Sequence, residues 1–198
     1  ASAFGWVRRN ISTYGGNPEQ IYIFGQSAGA HLASLLATDS LWLNAEGCSL
    51  SDIKGVISMS GTYMLENLVT FPANPLGISY SDVLMYRVIV GSAFGSTDPA
   101  VLGEASPAMH LHSHIPPFLV IHTELDMPGF SKENENFASL LQTTGSGHTV
   151  EIFKLLQTDY SPETWAMASS LAAAEPALSE YIGHYAEVVA INEQDRNK

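Results

Sequence analysis

The stretch Ile21-Tyr22-Ile23-Phe24-Gly25-Gln26-Ser27-Ala28-Gly29 constrains this chain more than any other. Four apolar, β-favouring residues run into Gly-x-Ser-x-Gly. An apolar helical pattern follows at once through Ala28, Ala30, Leu32, Ala33, Leu35, Leu36 and Ala37. A strand, a sharp turn and a helix around one serine form a nucleophile elbow. Such a turn strains the serine backbone and holds its hydroxyl clear of the sheet, at the start of a helix. Ser27 is therefore the candidate nucleophile, and the amide of Ala28 points where an oxyanion would form. Glycine is expected at both Gly25 and Gly29, because side chains there would strike the strand or the helix.

With 198 residues the chain can bury a substantial core, and residues 1–198 read as one domain. Apolar residues make up 45% and charged residues 14%, so much of the chain should be buried. The net charge of −12 argues against nucleic acid and anionic membrane surfaces as partners and leaves a small neutral or cationic ligand. The single cysteine, Cys48, excludes an intrachain disulfide and offers no metal cluster. No apolar run approaches the ~20 residues of a membrane span. No signal peptide is visible and the first residues read as mid-domain sequence; the compartment stays open, with the cytoplasm as default.

Along the chain, the pattern predicts a helix over 3–13 with Phe4, Val7 and Ile11 on one face, stopped at Tyr14-Gly15-Gly16. A strand over 21–24 and the elbow helix to Thr38 follow. Residues 39–52 read as a polar loop, 55–60 as a strand, and 62–105 as irregular with one helix near 81–90. Further strands are expected over 118–122 and 149–156, around a helix at 131–143 that presents Phe137, Leu140 and Leu141. Two helices fit 162–173 and 176–191, before a polar tail at 192–198. Alternating strands and helices imply a parallel sheet flanked by helices. Strands 21–24 and 118–121 are apolar on both faces, as covered strands should be.

This order of motifs resembles the α/β-hydrolase family, and within it the small esterase branch of carboxylesterases, kynurenine-formamidase-like enzymes and prenylcysteine-methylesterase-like enzymes. The residues that carry the likeness are Trp6-Val7-Arg8-Arg9-Asn10-Ile11, Tyr14-Gly15-Gly16-Asn17-Pro18 and Gly25-Gln26-Ser27-Ala28-Gly29-Ala30-His31-Leu32. The strand Gly55 to Gly61 and the strand and loop Pro116 to Phe130 agree with it. The likeness covers most of 1–145 and fades afterwards. It implies an α/β-hydrolase fold with Ser27 as nucleophile and Asp126 as triad acid, read from His122-Thr123-Glu124-Leu125-Asp126, where Thr123 stands in place of the usual glycine. Glu124 is the competing acid. His31, one helical turn after Ser27, reads as structural, and His122 as a strand-end histidine. His110, His112 and His114 alternate before a strand without an acidic or cysteine partner at ligand spacing, so no metal or other cofactor is expected.

Two departures from the family stand out. The family's base is a histidine in the loop after the last strand. Here that loop is Gln157-Thr158-Asp159-Tyr160-Ser161-Pro162, with Asp159 at the histidine position and Gln157 in a shifted alignment. The nearest alternative, His148, precedes its strand and so belongs to the opposite end of the sheet, and His184 falls on the last helix. The second departure is at the start. The family has strands before the elbow and a His-Gly-Gly-type loop that completes the oxyanion hole, whereas this sequence begins at the helix before the elbow strand. Strand 21–24 would then be a sheet edge although it reads as a buried strand. An uncovered apolar edge is an aggregation hazard. A further N-terminal part of the protein is expected to cover it, with a second polypeptide or a homo-oligomer contact as alternatives.

Two functions follow. The first is a serine hydrolase of small carboxylic esters or aryl-amides. The second is a catalytically impaired binding or scaffold protein on the same fold, favoured by the missing histidine. Residues 62–105 are expected to roof the pocket, with Tyr63, Leu65, Leu68, Phe71 and Tyr80 hinting at an apolar substrate.

Overall fold

In the structure, a computed structural model, residues 1–72 and 74–144 and the backbone of 150–159 are described. The apolar runs become four parallel strands, β1 (Ile21–Gln26), β2 (Ile53–Met59), β3 (Phe118–Leu125) and β4 (Val150–Asp159), adjacent in chain order. The register pairs Ile23 with Val56, Val56 with Phe118, and Phe118 with Val150. Because every pair is parallel, all four carboxyl ends lie along one edge of the sheet, where an open α/β sheet binds its ligands. Ser27, Ser60 and Asp126 each directly follow a strand there.

The helices are α1 (Ser2–Asn10), α2 (Ala28–Thr38), α3 (Ser40–Asn44), α4 (Leu65–Val69), α5 (Tyr80–Phe94), α6 (Pro99–Glu104) and α7 (Phe130–Thr143). The main core joins Phe4 of α1, Ala33 and Ala37 of α2, Leu43 of α3 and Phe137, Ala138 and Leu141 of α7 to Val56, Phe118 and Val120 of the sheet. Phe137 stacks on Tyr63 with ring centroids 3.9 Å apart and meets Phe118 edge-on at 5.7 Å. Each such aromatic, fully buried, contributes about 1.5–3 kcal/mol by removal from water. Ala1–Tyr160 form one compact unit.

Several boundaries differ from the sequence expectation. The first helix ends as a 3-10 turn, Ile11–Tyr14, closed by Gly15 at φ 83°. The loop 39–52 contains α3, capped by the Asp39 carboxylate, which accepts from Leu41 N. The segment 62–105 carries three helices rather than one. A capping box starts α5: Ser79 Oγ accepts from Asp82 N at 3.2 Å and the Asp82 carboxylate from Ser79 N at 3.1 Å. Gly95 at φ 68° ends it. This segment has its own small core of Leu65, Leu68, Leu76, Tyr86, Val90 and Leu102, closed by Phe130 of α7. Tyr63, Leu65 and Leu68 are thus spent on internal packing. Only Phe71 and Tyr80, half-exposed with rings 4.9 Å apart, remain as apolar surface of the five.

The strands also run longer than expected. β3 continues to Leu125 and β4 to Asp159, because the ladder resumes at Leu125–Asp159 beyond a register shift. Gln157 and Asp159 therefore belong to β4 and not to a loop after it. β1, expected to be covered on both sides, has one strand neighbour among the described residues, and Tyr22 is exposed. The helices expected at 162–173 and 176–191, the tail 192–198, His148 and His184 lie outside the described residues.

Candidate active site

Ser27 sits between β1 and α2 at φ 54°, ψ −121°. Its amide donates to the Met59 carbonyl at 2.9 Å, which ties the elbow to the end of β2, and its carbonyl accepts from His31 N at 3.0 Å. Ala28 opens α2, so its amide is one of the helix's leading donors, with no acceptor within the helix and at the positive end of its dipole. The turn explains Gly25: a Cβ there would lie 2.1 Å from the Gly29 carbonyl oxygen. Gly29 corrects the sequence expectation. A Cβ at this exposed position meets nothing within 4 Å among the described residues. The turn closes onto the strand residue and leaves the helix residue open.

Asp126 is the first residue after β3. Its Oδ1 accepts from Met127 N at 2.8 Å and its Oδ2 from Ser60 Oγ at 2.5 Å and Thr123 N at 3.4 Å. Ser27 and Asp126 thus stand at the same end of the sheet, two strands apart, with Ser60 directly after the strand between them. Ser27 and Ser60 are the two non-glycine residues with positive φ among the described residues. Each such conformation costs of order 1–3 kcal/mol, and strain of this kind clusters at functional sites. Glu124 lies within β3. Asp159 pairs with Leu125, which places its backbone beside the residue preceding Asp126, and Gln157 lies two residues earlier on β4.

The described histidines have defined settings. His31 is buried, with Nε2 at 2.8 Å from the Ala105 carbonyl. A carbonyl only accepts, so Nε2 carries the hydrogen, and burial pushes the imidazole pKa down, keeping it neutral. The structural role expected for His31 fits this setting. His122 is buried, with Nδ1 3.3 Å from the Thr123 carbonyl and Nε2 3.8 Å from Glu135 Oε1. His110 Nε2 lies 2.8 Å from the Glu104 carbonyl, and His112 Nδ1 accepts from His114 N at 3.1 Å. Among the described residues no group of three His, Cys, Asp or Glu is placed to hold a metal ion. Nor is any helix among them long and apolar enough to cross a membrane.

Sequence reasoning missed the polar scaffold behind Asp126. The buried stripe of α7 is Phe130, Glu133, Asn134, Phe137, Ala138 and Leu141, whereas Leu140, expected inside, is 40% exposed. Glu133 Oε1 accepts from Tyr63 N at 3.0 Å and Met64 N at 2.6 Å. Asn134 Oδ1 accepts from Tyr63 Oη at 2.9 Å, and its Nδ2 donates to the carbonyls of Gly61 at 3.1 Å and Phe130 at 2.8 Å. Tyr63 Oη also lies 2.9 Å from Ser58 Oγ, which is 3.1 Å from Ser34 Oγ. The loop after Ser60 is therefore suspended from α7. The i, i+3, i+4 spacing of Phe130, Glu133, Asn134 and Phe137 carried the signal, but two polar residues inside an apolar stripe obscured it.

Burial raises the Glu133 pKa above its ordinary 4.5, against the lowering effect of the two amides and Asn67. A carboxyl whose pKa is higher folded than unfolded holds its proton better in the native state, so stability falls as pH rises through that window. Glu133→Gln keeps an acceptor for the two amides and removes the titration. The melting temperature of the variant relative to wild type is therefore expected to climb as pH rises above the ordinary glutamate value of 4.5, read by circular dichroism. A constant or falling difference would contradict the assignment.

The carboxylesterase family profile matches residues 1–79. Esterase LipQ of Mycobacterium tuberculosis is 31% identical over 185 residues, covering 91% of this chain and 42% of that protein. A protein of Arabidopsis thaliana described as a probable isoprenylcysteine alpha-carbonyl methylesterase, ICMEL1, is 29% identical over 160 residues, covering 78% of this chain and 33% of its own length. The chain thus spans less than half the length of these relatives. Carboxyl esterase 2 of the mycorrhizal fungus Tuber melanosporum superposes with a TM-score of 0.60 at 20% identity, over 85% of this chain and 57% of that one, a likeness of fold. Together with the parallel sheet and the elbow, these matches show an α/β-hydrolase fold and support the carboxylesterase branch of that family for this chain.

Proposed function

We propose that this protein hydrolyses small carboxylic esters, with aryl-amides as the neighbouring class, through an acyl-enzyme on Ser27. The observation that carries the reading is the strained elbow of Ser27 on the same sheet end as Asp126. Ser27 Oγ attacks the carbonyl carbon as its proton passes to a base. The oxyanion gathers at the Ala28 amide. The C–O bond then breaks and the alcohol departs with that proton. Water repeats the sequence, releasing the acid and restoring Ser27. Asp126 holds the base in orientation. The family's position for that base falls at Asp159, or at Gln157 in the shifted alignment, so turnover by this chain alone is expected to be very low. Residues 62–105 roof the pocket, a role supported by their packing on Phe130 and by the bond of Tyr86 Oη to the Pro128 carbonyl at 2.8 Å, next to the acid loop. The edge of β1 that has no strand neighbour among the described residues is assigned to a further N-terminal segment of the same protein, a reading supported by the greater length of the relatives. A second polypeptide or another copy of the chain are the alternatives.

Covalent capture tests the reading, because it needs one event per molecule and detects a slow nucleophile. An alkyl fluorophosphonate incubated with the chain for a day is expected to add one phosphonyl group, located on Ser27 by peptide mass spectrometry and absent from Ser27→Ala. An adduct elsewhere, or none, would overturn the proposal.

A further inference from the structure

Ser60 combines three properties that its place in the sequence does not explain. It is fully buried, it holds φ 47°, and its hydroxyl reaches the Asp126 carboxylate at 2.5 Å. Glycine is the residue that this left-handed backbone favours. An ionised carboxylate only accepts, so the serine hydroxyl is the donor. The backbone around Ser60 leaves little freedom. Its amide donates to the Ile121 carbonyl of β3 at 2.8 Å. The following residue, Gly61, is bonded through both its amide and its carbonyl to the side chain of Asn134. A Cβ on Gly61 would lie 2.6 Å from Tyr63 Oη, so the chain passes there without slack. Ser60 therefore presents its hydroxyl from a fixed frame, whereas Asp126 sits at a strand end and is partly exposed. The other two bonds to the carboxylate come from amides within three residues of Asp126 itself. Among the described residues, the Ser60 bond alone ties it to the end of another strand, the one that also receives the Ser27 amide through Met59.

We propose that Ser60 is a positioning residue for the Asp126 carboxylate: its strained backbone aims a donor that sets the carboxylate's angle relative to the Ser27 elbow. This rests on the reading of Asp126 as the triad acid. The strain is kept because serine supplies the hydroxyl that glycine lacks. Ser60→Gly removes the hydroxyl and suits the backbone; Ser60→Ala removes it and keeps the strain.

The experiment measures the rate of Ser27 modification by an alkyl fluorophosphonate, together with melting temperature, in the Asp159→His background, which supplies a base for Asp126 to orient, with residues 60 and 126 wild type, Ser60→Gly, Ser60→Ala, Asp126→Asn and Ser60→Gly/Asp126→Asn. Both Ser60 variants are expected to react about tenfold more slowly, the lower end of what one charge-assisted hydrogen bond contributes. Ser60→Gly should nevertheless melt at a higher temperature than Ser60→Ala. The double variant should react no more slowly than Asp126→Asn. A merely structural role predicts that rate follows melting temperature, so a Ser60→Gly variant as fast as its Asp159→His parent overturns the inference. So does a full additional slowing on the Asp126→Asn background. Asp126→Asn reacting like that parent removes the acid assignment itself, a different outcome from the loss of Ser60 alone. If the parent takes up no phosphonate within a day, the reading of Ser27 fails and the melting temperatures decide for Ser60. Additive shifts then overturn the Ser60–Asp126 link, and coupled shifts sustain it.

Discussion

Asp159→His is expected to raise ester hydrolysis by roughly 100-fold to 10,000-fold, the range that a positioned general base contributes. The serine of a triad is a weak nucleophile until an imidazole takes its proton, and removing that imidazole costs up to about a million-fold in subtilisin. The starting activity of this chain should accordingly be close to what binding and oxyanion contacts supply. Position 159 is the first choice because its backbone pairs with Leu125, immediately before Asp126, at the carboxyl end of the sheet that also carries Ser27. A histidine introduced there starts from a backbone position paired with the residue before its intended orienting carboxylate. Gln157→His is the second choice and should gain less. The gain is read as initial rates on a p-nitrophenyl ester. It should vanish when Ser27→Ala is added. A gain that survives Ser27→Ala would place the chemistry elsewhere. High activity in the unaltered chain that is lost on Ser27→Ala would mean that another histidine, His122 or His148, serves as base.

Gly25→Ala should abolish the folded state, whereas Gly29→Ala should keep it. The Cβ added at position 25 would lie 2.1 Å and 2.3 Å from the carbonyl oxygen and carbon of Gly29 and 2.7 Å from Ala30 N, all backbone atoms that no rotamer change can move. Relief requires pulling α2 away from β1, which opens the packing of Ala33 and Ala37 in the main core. A cost above about 4 kcal/mol is expected, comparable to much of the 5–15 kcal/mol that holds a domain folded. Gly29 lies in α2 with open space around its Cα, so alanine there should be neutral or stabilising by about 0.5–1 kcal/mol. Urea denaturation followed by circular dichroism separates the two. A Gly25→Ala chain with a wild-type midpoint would refute this account of the elbow.

The elbow was legible because its determinants are local. An apolar run, two glycines and a helical repeat lie within about a dozen residues, and the φ of 54° at Ser27 follows from the turn they make. Asp126 was singled out only through family resemblance, since nothing in a polar loop marks one carboxylate over another. The strand ends were misjudged for a physical reason. A strand stops where its hydrogen-bonding neighbour stops, so β3 and β4 extended each other past the point where apolar residues ran out. The same cause moved Gln157 and Asp159 from a loop into a strand.

Ser60, Glu133, Asn134 and Tyr63 show the other limit. The bonds that join the loop after β2 to Asp126 and α7 span 66 to 73 residues of chain, as in those of Ser60 to Asp126 and of Gly61 to Asn134. No window of sequence contains both members of such a pair. By itself the sequence determined the parallel α/β class, the strand–turn–helix elbow around Ser27 and the glycine beneath it, because periodicity and turn sterics act over a few residues. Only the tertiary structure decided that β1 lies at an edge of the described sheet, that Gly29 is sterically open among the described residues, and that a strained serine just after β2 grips the carboxylate after β3. Those outcomes depend on which strand ends are neighbours, and neighbourhood in a sheet is set by packing between distant segments rather than by any residue's own preference.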